Sequence, residues 1–288
     1  MLPRHLRRWW PLVFSPLVLS GCGSEYVVFH PAGPVAATEL HLIELSAAIM
    51  AGIILLVWAL LAYILVRFRD TPNNPAPYLP NWRGTLWLEA IVFGVPVLVL
   101  LVMAIPTIKK TYALDHIPST HPLIIDVTSL DYKWLFEYPR QHIATVNYFY
   151  MPTGKPVLFQ LTAHSPFGAF WIPNLGGMEY TMPNRVLPLW LEASRPGVYM
   201  GRNANYSGVD FWRMTFYAHA VRPAAFQAWV QQVKKSKPPM TEREYRTLAT
   251  HFDLVGQQSY SAYPSDTFPE RFREFTIEGL HYVPTRHP

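Results

Sequence analysis

Two uncharged stretches constrain this chain more than anything else in it. From Ala47 to Val66 there is no Asp, Glu, Lys or Arg, and at about 1.5 Å per residue such a helix crosses a hydrocarbon core of roughly 30 Å. A second stretch, Leu86 to Ile108, holds one charge, Glu89, near its start and includes Pro96 and Pro106. A membrane helix tolerates prolines because neighbouring groups satisfy the carbonyls they release. Both stretches predict membrane-spanning helices. The overall composition agrees, with 15% charged residues against about 25% in a soluble domain. Sixteen Tyr, 16 Phe and ten Trp exclude a disordered chain.

The ends of the two runs predict an orientation. Between them lie Arg67, Arg69 and Arg83 against Asp70, and excess Lys and Arg mark the cytoplasmic side. Lys109 and Lys110 follow the second run and oppose that tendency. The first residues decide the matter. Arg4, Arg7 and Arg8 precede an apolar run from Trp9 to Leu19, then Ser20, Gly21 and Cys22, which is the layout of a secretory signal over residues 1–21. Leu19-Ser20-Gly21-Cys22 resembles a bacterial lipobox, which implies acylation of Cys22, with Gly23-Ser24 as its tether. An exported N-terminus followed by two spans returns the rest of the chain to the outside.

Cys22 is the one cysteine of the 288 residues, so disulfide frameworks and multi-thiolate zinc or iron–sulfur sites within the chain are excluded. The formal charge is +5, and its clusters, including Lys234, Lys235 and Lys237, do not alternate with aromatics as a nucleic-acid-binding stripe does.

Residues 111–288 predict one exported domain, long enough to bury its own core. Stretches such as 123–128, 157–162 and 213–217 are short, rich in branched and aromatic residues, and separated by Pro and Gly, as in an antiparallel sandwich. Pro223 to Lys235 and Thr241 to Phe252 read as helices, the second with a capping-box start in which Glu244 lies three residues after Thr241. The expected organisation is a signal over 1–21, an exported segment over 22–39, a transmembrane hairpin over 40–110, the sandwich over 111–222 and a C-terminal helical extension over 223–288.

Several segments carry a family likeness: Asn81-Trp82 through Glu89, Asp131 to Pro139 (DYKWLFEYP), Ala144 to Asn147, Trp171 to Gly176 and Gly201 to Gly208 (GRNANYSG). Together, from Cys22 to about Phe252, the chain resembles subunit II of haem–copper terminal oxidases, and specifically the quinol-oxidising branch. The resemblance implies a membrane α plus all-β protein: a two-helix transmembrane hairpin followed by a cupredoxin-like antiparallel β-sandwich with C-terminal helices.

In the cytochrome c-oxidising branch that sandwich holds a dinuclear copper centre, with a Cys-x3-Cys-x3-His-x2-Met run and an earlier His five residues before a Pro. Thiolates bridge the coppers, and imidazole and thioether complete the set. On this sequence the run falls on Asn203, Ser207, Phe211 and Met214, the earlier His on Gly168, and a contributing Glu on Asn205. Only Met214 retains a ligand type, so the resemblance implies no metal in this chain. Met214 then reads as a core side chain, and His164, nine residues before Pro173, as a loop histidine. His116, His121, His142 and His219 share no metal spacing. Tyr132, at the position of the family's electron-accepting Trp, and Trp134 read as packing. Residues 111–288 carry 16 Lys plus Arg against 14 Asp plus Glu, which does not favour steering of a basic cytochrome.

Glu89 is the residue singled out for chemistry, because a carboxylate in a membrane-spanning run is costly and functional by default. In the family a Glu at this place, with a Pro seven residues on, lies near the cytoplasmic mouth of a proton path. His41 and Glu44, three apart, read as a headgroup-level pair. The resemblance implies a subunit without catalytic residues, in the bacterial cytoplasmic membrane, packed with subunits I, III and IV. Haems and copper are then expected in subunit I, with quinol as the complex's substrate and no cytochrome c. Two alternatives stay open: a cytochrome c oxidase subunit II, and a lipid-anchored cupredoxin-like binding or assembly module.

Overall fold

The computed structural model describes residues 26–269 except 73, 76, 78–80, 82–83, 165–166 and 252–253, and the backbone of 275–277 and 280–282. The expected signal over 1–21 and Cys22 lie outside the described residues.

Two long helices come first: α1, Pro34–Arg67, and α2, Leu86–Leu114. Pro34 opens α1 at a position whose N–H has no helical partner in any case. Both helices turn their apolar residues outward. Trp58 is 71% exposed and Phe93 73%, so neither helix has a core to hide in and both are long and apolar enough to cross a membrane. The expected boundary at residue 40 falls inside α1. Pro34 to Ser46 precede the apolar run, and these turns rise about 20 Å beyond it.

The part of the chain after the two helices is a sandwich of two sheets. Its strands are β1 (Leu123–Leu130), β2 (Lys133–Tyr138), β3 (Ile143–Val146), β4 (Tyr148–Pro152), β5 (Val157–Ala163), β6 (Gly168–Ile172), β7 (Gly176–Thr181), β8 (Leu187–Leu191), β9 (Gly197–Asn203), β10 (Thr215–Val221) and β11 (Gln258–Tyr260). One sheet has the order β11-β3-β2-β1-β5-β8 and the other β4-β10-β9-β6-β7. Most pairs are antiparallel, but β1 runs parallel to β5 and β4 parallel to β10. The expected all-antiparallel sandwich is therefore mixed, because the chain changes sheets between β3 and β4.

Asn147 makes that change. It sits at φ 60°, a left-handed conformation Asn tolerates better than most residues. Its backbone N–H donates to the Trp134 carbonyl (2.9 Å) and its carbonyl accepts from Tyr217 N–H (3.2 Å), one bond to each sheet. Between the sheets lie Trp134, Phe136, Phe149, Phe159, Phe170 and Phe216, all 0% exposed. Phe170 and Phe216 stack at 4.8 Å.

The C-terminal segment does more than the expected helical extension. Helix α3, Pro223–Ser236, buries Phe226, Val230 and Val233 along one face. Helix α4, Glu242–Thr250, begins with the Thr241–Glu244 capping box read from the sequence. Then β11 pairs with β3 and joins the six-stranded sheet. Leu248, Ala249, Met240 and Tyr260 cover Leu130, Leu135, Ala144 and Val146 in a second core. This is why β1 and β2 are buried on both faces. Lys133 Nζ donates to the carbonyls of Asp131 and His251, and Asn147 Nδ2 donates to that of Val255, each at 2.7 Å. A short hairpin, β12 (Phe275–Ile277) with β13 (Leu280–Tyr282), follows.

The α1–α2 pair is joined to the sandwich at two places. Ala32 N–H donates to the Asn174 carbonyl (2.7 Å), the Ala32 carbonyl accepts from Ser194 N–H (2.8 Å), and Ala36 N–H donates to the Leu175 carbonyl (3.1 Å). Ala32 and Val35 belong to the sandwich core. The approach is so close that a Cβ on Gly33 would stand 2.0 Å from the Glu192 carbonyl oxygen. At the end of α2, Trp190 Nε1 donates to the Leu114 carbonyl at 2.5 Å. Ala32, Val35 and Ala36, within the expected exported segment 22–39, thus pack on the domain they precede.

Candidate functional site

Strand β1 starts at Leu123, after α2 has ended at Leu114, and Gly168 lies beside Ser129 near the other end of the strand. Here the fold gathers the positions of the family's copper ligands. Asn203, 4% exposed, is the hub. Its Oδ1 accepts from the backbone N–H groups of Ala169 (2.8 Å) and Asn205 (3.1 Å). Its Nδ2 donates to Ser207 Oγ (2.8 Å) and lies 3.7 Å from Met214 Sδ. Met214 is 2% exposed, and its carbonyl accepts from Asn203 N–H (3.0 Å) and from Trp134 Nε1 (3.4 Å). Asn205 Nδ2 donates to the Phe167 carbonyl (3.4 Å). Gly168, Asn203, Asn205, Ser207 and Met214 thus come together. Phe211 instead packs edge-on against the exposed Tyr206, 5.1 Å between ring centroids.

This donor set does not fit a dinuclear copper centre. Carboxamide, hydroxyl and one thioether lack the soft anionic bridges the metal pair requires, and the carboxamide is already engaged in hydrogen bonds. A side chain at Gly168 has no room, because its Cβ would lie 2.7 Å from Thr181 Oγ1 and 3.0 Å from Ser129 Oγ. Among the described residues no group of three or more His, Cys, Asp or Glu is placed to hold a metal ion. What remains is a hydrogen-bonded knot that ties the 204–213 loop to β6, β9 and β10. In the sequence Asn203 reads as a lost ligand. Its role as a hub depends on Ala169, far away in the chain, and left no local signal beyond Ser207 at i+4.

The surrounding aromatics pack. Trp134, 0% exposed, lies 5.4 Å from both Phe170 and Phe216. Tyr132, at φ 33°, rests its hydroxyl against Gly208, where a Cβ would come within 2.6 Å. Exposed His164 donates its backbone N–H to the Ser129 carbonyl. Burial raises the pKa of the nearby Asp131 above its usual value, against the opposing influence of Lys133. His116, His121 and His142 are exposed and lie apart.

His219 is different. Its ring stacks on Tyr150 at 4.6 Å, and Tyr150 stacks on Trp229 at 4.4 Å. Burial lowers its pKa below the usual 6.5, since removing water disfavours the charged ring.

The other candidate, Glu89, sits in the first turn of α2, where Thr85 is the N-cap. A negative charge there complements the helix dipole. Its backbone N–H donates to the Thr85 carbonyl, its side chain is exposed, and it forms no ion pair among the described residues. Trp82, in the segment leading to it, lies outside those residues. On α1, His41 Nδ1 and Glu44 Oε2 are 3.4 Å apart and exposed.

Two helices long and apolar enough to cross a membrane, followed by a two-sheet sandwich, define the class: a membrane-anchored β-sandwich protein. The family described as cytochrome c oxidase subunit II, periplasmic domain, matches residues 111–221. The quinol oxidase subunit 2 of Bacillus cereus is 41% identical over 251 residues, covering 86% of this chain and 86% of that protein. That of Bacillus subtilis is 36% identical, covering 80% and 73%. The ubiquinol oxidase subunit 2 of Acetobacter aceti is 38% identical, covering 82% and 78%. The chain belongs to the quinol oxidase subunit 2 family.

Proposed function

We propose that this chain is the copper-free second subunit of a respiratory complex that takes electrons from a membrane quinol, reduces oxygen to water and pumps protons. The observation that carries the copper-free part is the Asn203 knot, in which amide hydrogen bonds hold the loops that thiolates and imidazoles hold in copper-bearing relatives. With no metal relay in the chain, haems, copper and the quinol site belong to subunit I, and subunits III and IV complete the assembly. The sandwich is an inert cap outside the bacterial cytoplasmic membrane, and α1 and α2 pack on subunit I. Cys22, once acylated, adds a lipid anchor to a chain that two helices already embed.

Glu89 is the candidate group for handling protons in this reading. Its side chain is exposed on a helix that has no other carboxylate until Asp115, and so faces either headgroups or a partner subunit. In the second setting it delivers protons from the cytoplasm to the path in subunit I. Replacing it by Gln in the assembled complex is expected to lower quinol-driven turnover and pumping by tenfold or more, within the range of general acid–base effects. Unchanged turnover and pumping remove the role.

The test of the whole reading is oxygen uptake by the complex drawn from native membranes through a tag on this chain. Reduced quinol and reduced cytochrome c are supplied in parallel. Uptake with quinol and haem in the eluate is the expected result. Uptake with cytochrome c alone overturns it, and a haem-free eluate reassigns the chain as a binding module.

A further inference from the structure

Lys109 and Lys110 stand on the side of the membrane where lysines are disfavoured, and neither forms an ion pair among the described residues. Their position in the fold accounts for them. At 100° per residue, Leu98, Leu101, Val102, Ile105, Lys109 and Tyr112 fall on one face of α2. All six are exposed. The opposite face carries the half-buried Val99 and Met103. The Leu98–Tyr112 face therefore points away from the rest of the hairpin.

Its chemistry is that of a lipid contact. From Leu98 to Ile105 this face has only large aliphatic side chains, whereas helix-packing faces in membranes are rich in Gly, Ala and Ser. It ends in a lysine and a tyrosine, residue types that sit at the headgroup level. The height is right as well: Lys109 lies about 30 Å along the helix from Glu89, one hydrocarbon thickness. Lys110, next around the helix, has a stem long enough to bring its ammonium to the same level.

We infer that this face binds an anionic phospholipid of the outer leaflet, its acyl chain along Leu98, Val102 and Ile105 and its phosphate between the Lys109 and Lys110 ammonium groups. Tyr112 borders the headgroup. The inference rests on the outward orientation of the 111–288 domain, and it accounts for two lysines where orientation rules disfavour them: the phosphate neutralises them locally.

The test uses the whole complex reconstituted in phosphatidylcholine vesicles containing spin-labelled phosphatidylglycerol or spin-labelled phosphatidylcholine. The expected result is a motionally restricted fraction that favours phosphatidylglycerol. That preference falls about fivefold for each of Lys109→Gln and Lys110→Gln, as one basic residue near a charged surface contributes. Lys109→Arg retains it, and Lys234→Gln on the sandwich side leaves it untouched. Three results overturn the inference: no preference in the unaltered complex, a preference abolished by inorganic phosphate, or loss of partner subunits from the double Gln variant, which would assign the lysines to a protein carboxylate. Protease access to the sandwich from outside, scored on the same preparations, separates a wrong orientation from a wrong lipid site.

Discussion

Trp58 and Trp134 belong to the same chain and meet opposite fates. Trp58 on α1 is 71% exposed, while Trp134 on β2 is 0% exposed. The hairpin turns its apolar surface outward because its solvent is hydrocarbon, and the sandwich turns it inward because its solvent is water. The difference teaches where stability resides in each half. In the sandwich it comes from packing among aromatic rings, and in the hairpin from the bilayer and from neighbouring subunits.

The sharpest way to break that contrast is to truncate both tryptophans in the assembled complex. Trp134→Ala is expected to destabilise the sandwich by about 3–5 kcal/mol, seen as loss of hydrogen-exchange protection across β2 and β9. Trp58→Ala should leave that protection unchanged. An equal loss in both would mean that the halves do not fold in separate solvents. The junction is the next place to press. Gly33→Ala drives a methyl group into the Glu192 carbonyl and is expected to cost roughly 1–3 kcal/mol, as overpacking does. Exchange of the Ala36 and Ser194 amides would report it, with Gly52→Ala, which meets nothing within 4 Å, as the neutral control.

Within the sandwich, Asn203→Ala strands the amides of Ala169 and Asn205. A loss of about 1–2 kcal/mol follows, with faster exchange confined to the 203–214 loop. If the whole domain loosens equally, the knot is not a local tie. The smallest effect concerns acid. The native pKa of His219 is depressed by burial, so the unfolded chain binds the proton first. The associated stability is complete above pH 6.5 and is lost as pH falls through 6.5 toward the depressed native value. His219→Phe should flatten the stability of the domain across that window, read by thermal unfolding at a series of pH values. A wild-type profile without this slope would remove the effect.

What sequence could reveal follows the same division. The spans were legible because a run without charges has one physical reading at that length. The α4 start was legible because Thr241 and Glu244 lie within one turn of each other. The parallel pairs were not, since nothing local in 123–130 or 157–163 records which neighbour each strand takes. The covering of β1 and β2 was foreshadowed by Leu130 and Leu135, but their partners Leu248 and Tyr260 lie more than a hundred residues on. At the candidate site, sequence showed which ligand types are missing. It did not show that Asn203 takes over the task of holding the loops, because that depends on Ala169 and Ser207 meeting it in space.

The junction between α1 and the sandwich also sets an order of events. His30 accepts a hydrogen bond from Asn174, which lies 144 residues further along the chain. During export, residues 30–36 cross the membrane first and then wait while both helices insert and most of the sandwich is synthesised. Closing so large a loop is slow compared with local pairing. The seating of α1 against β7 is thus a late step of biogenesis, and a chain released before Ser194 has emerged would hold its helices in place with the cap still open.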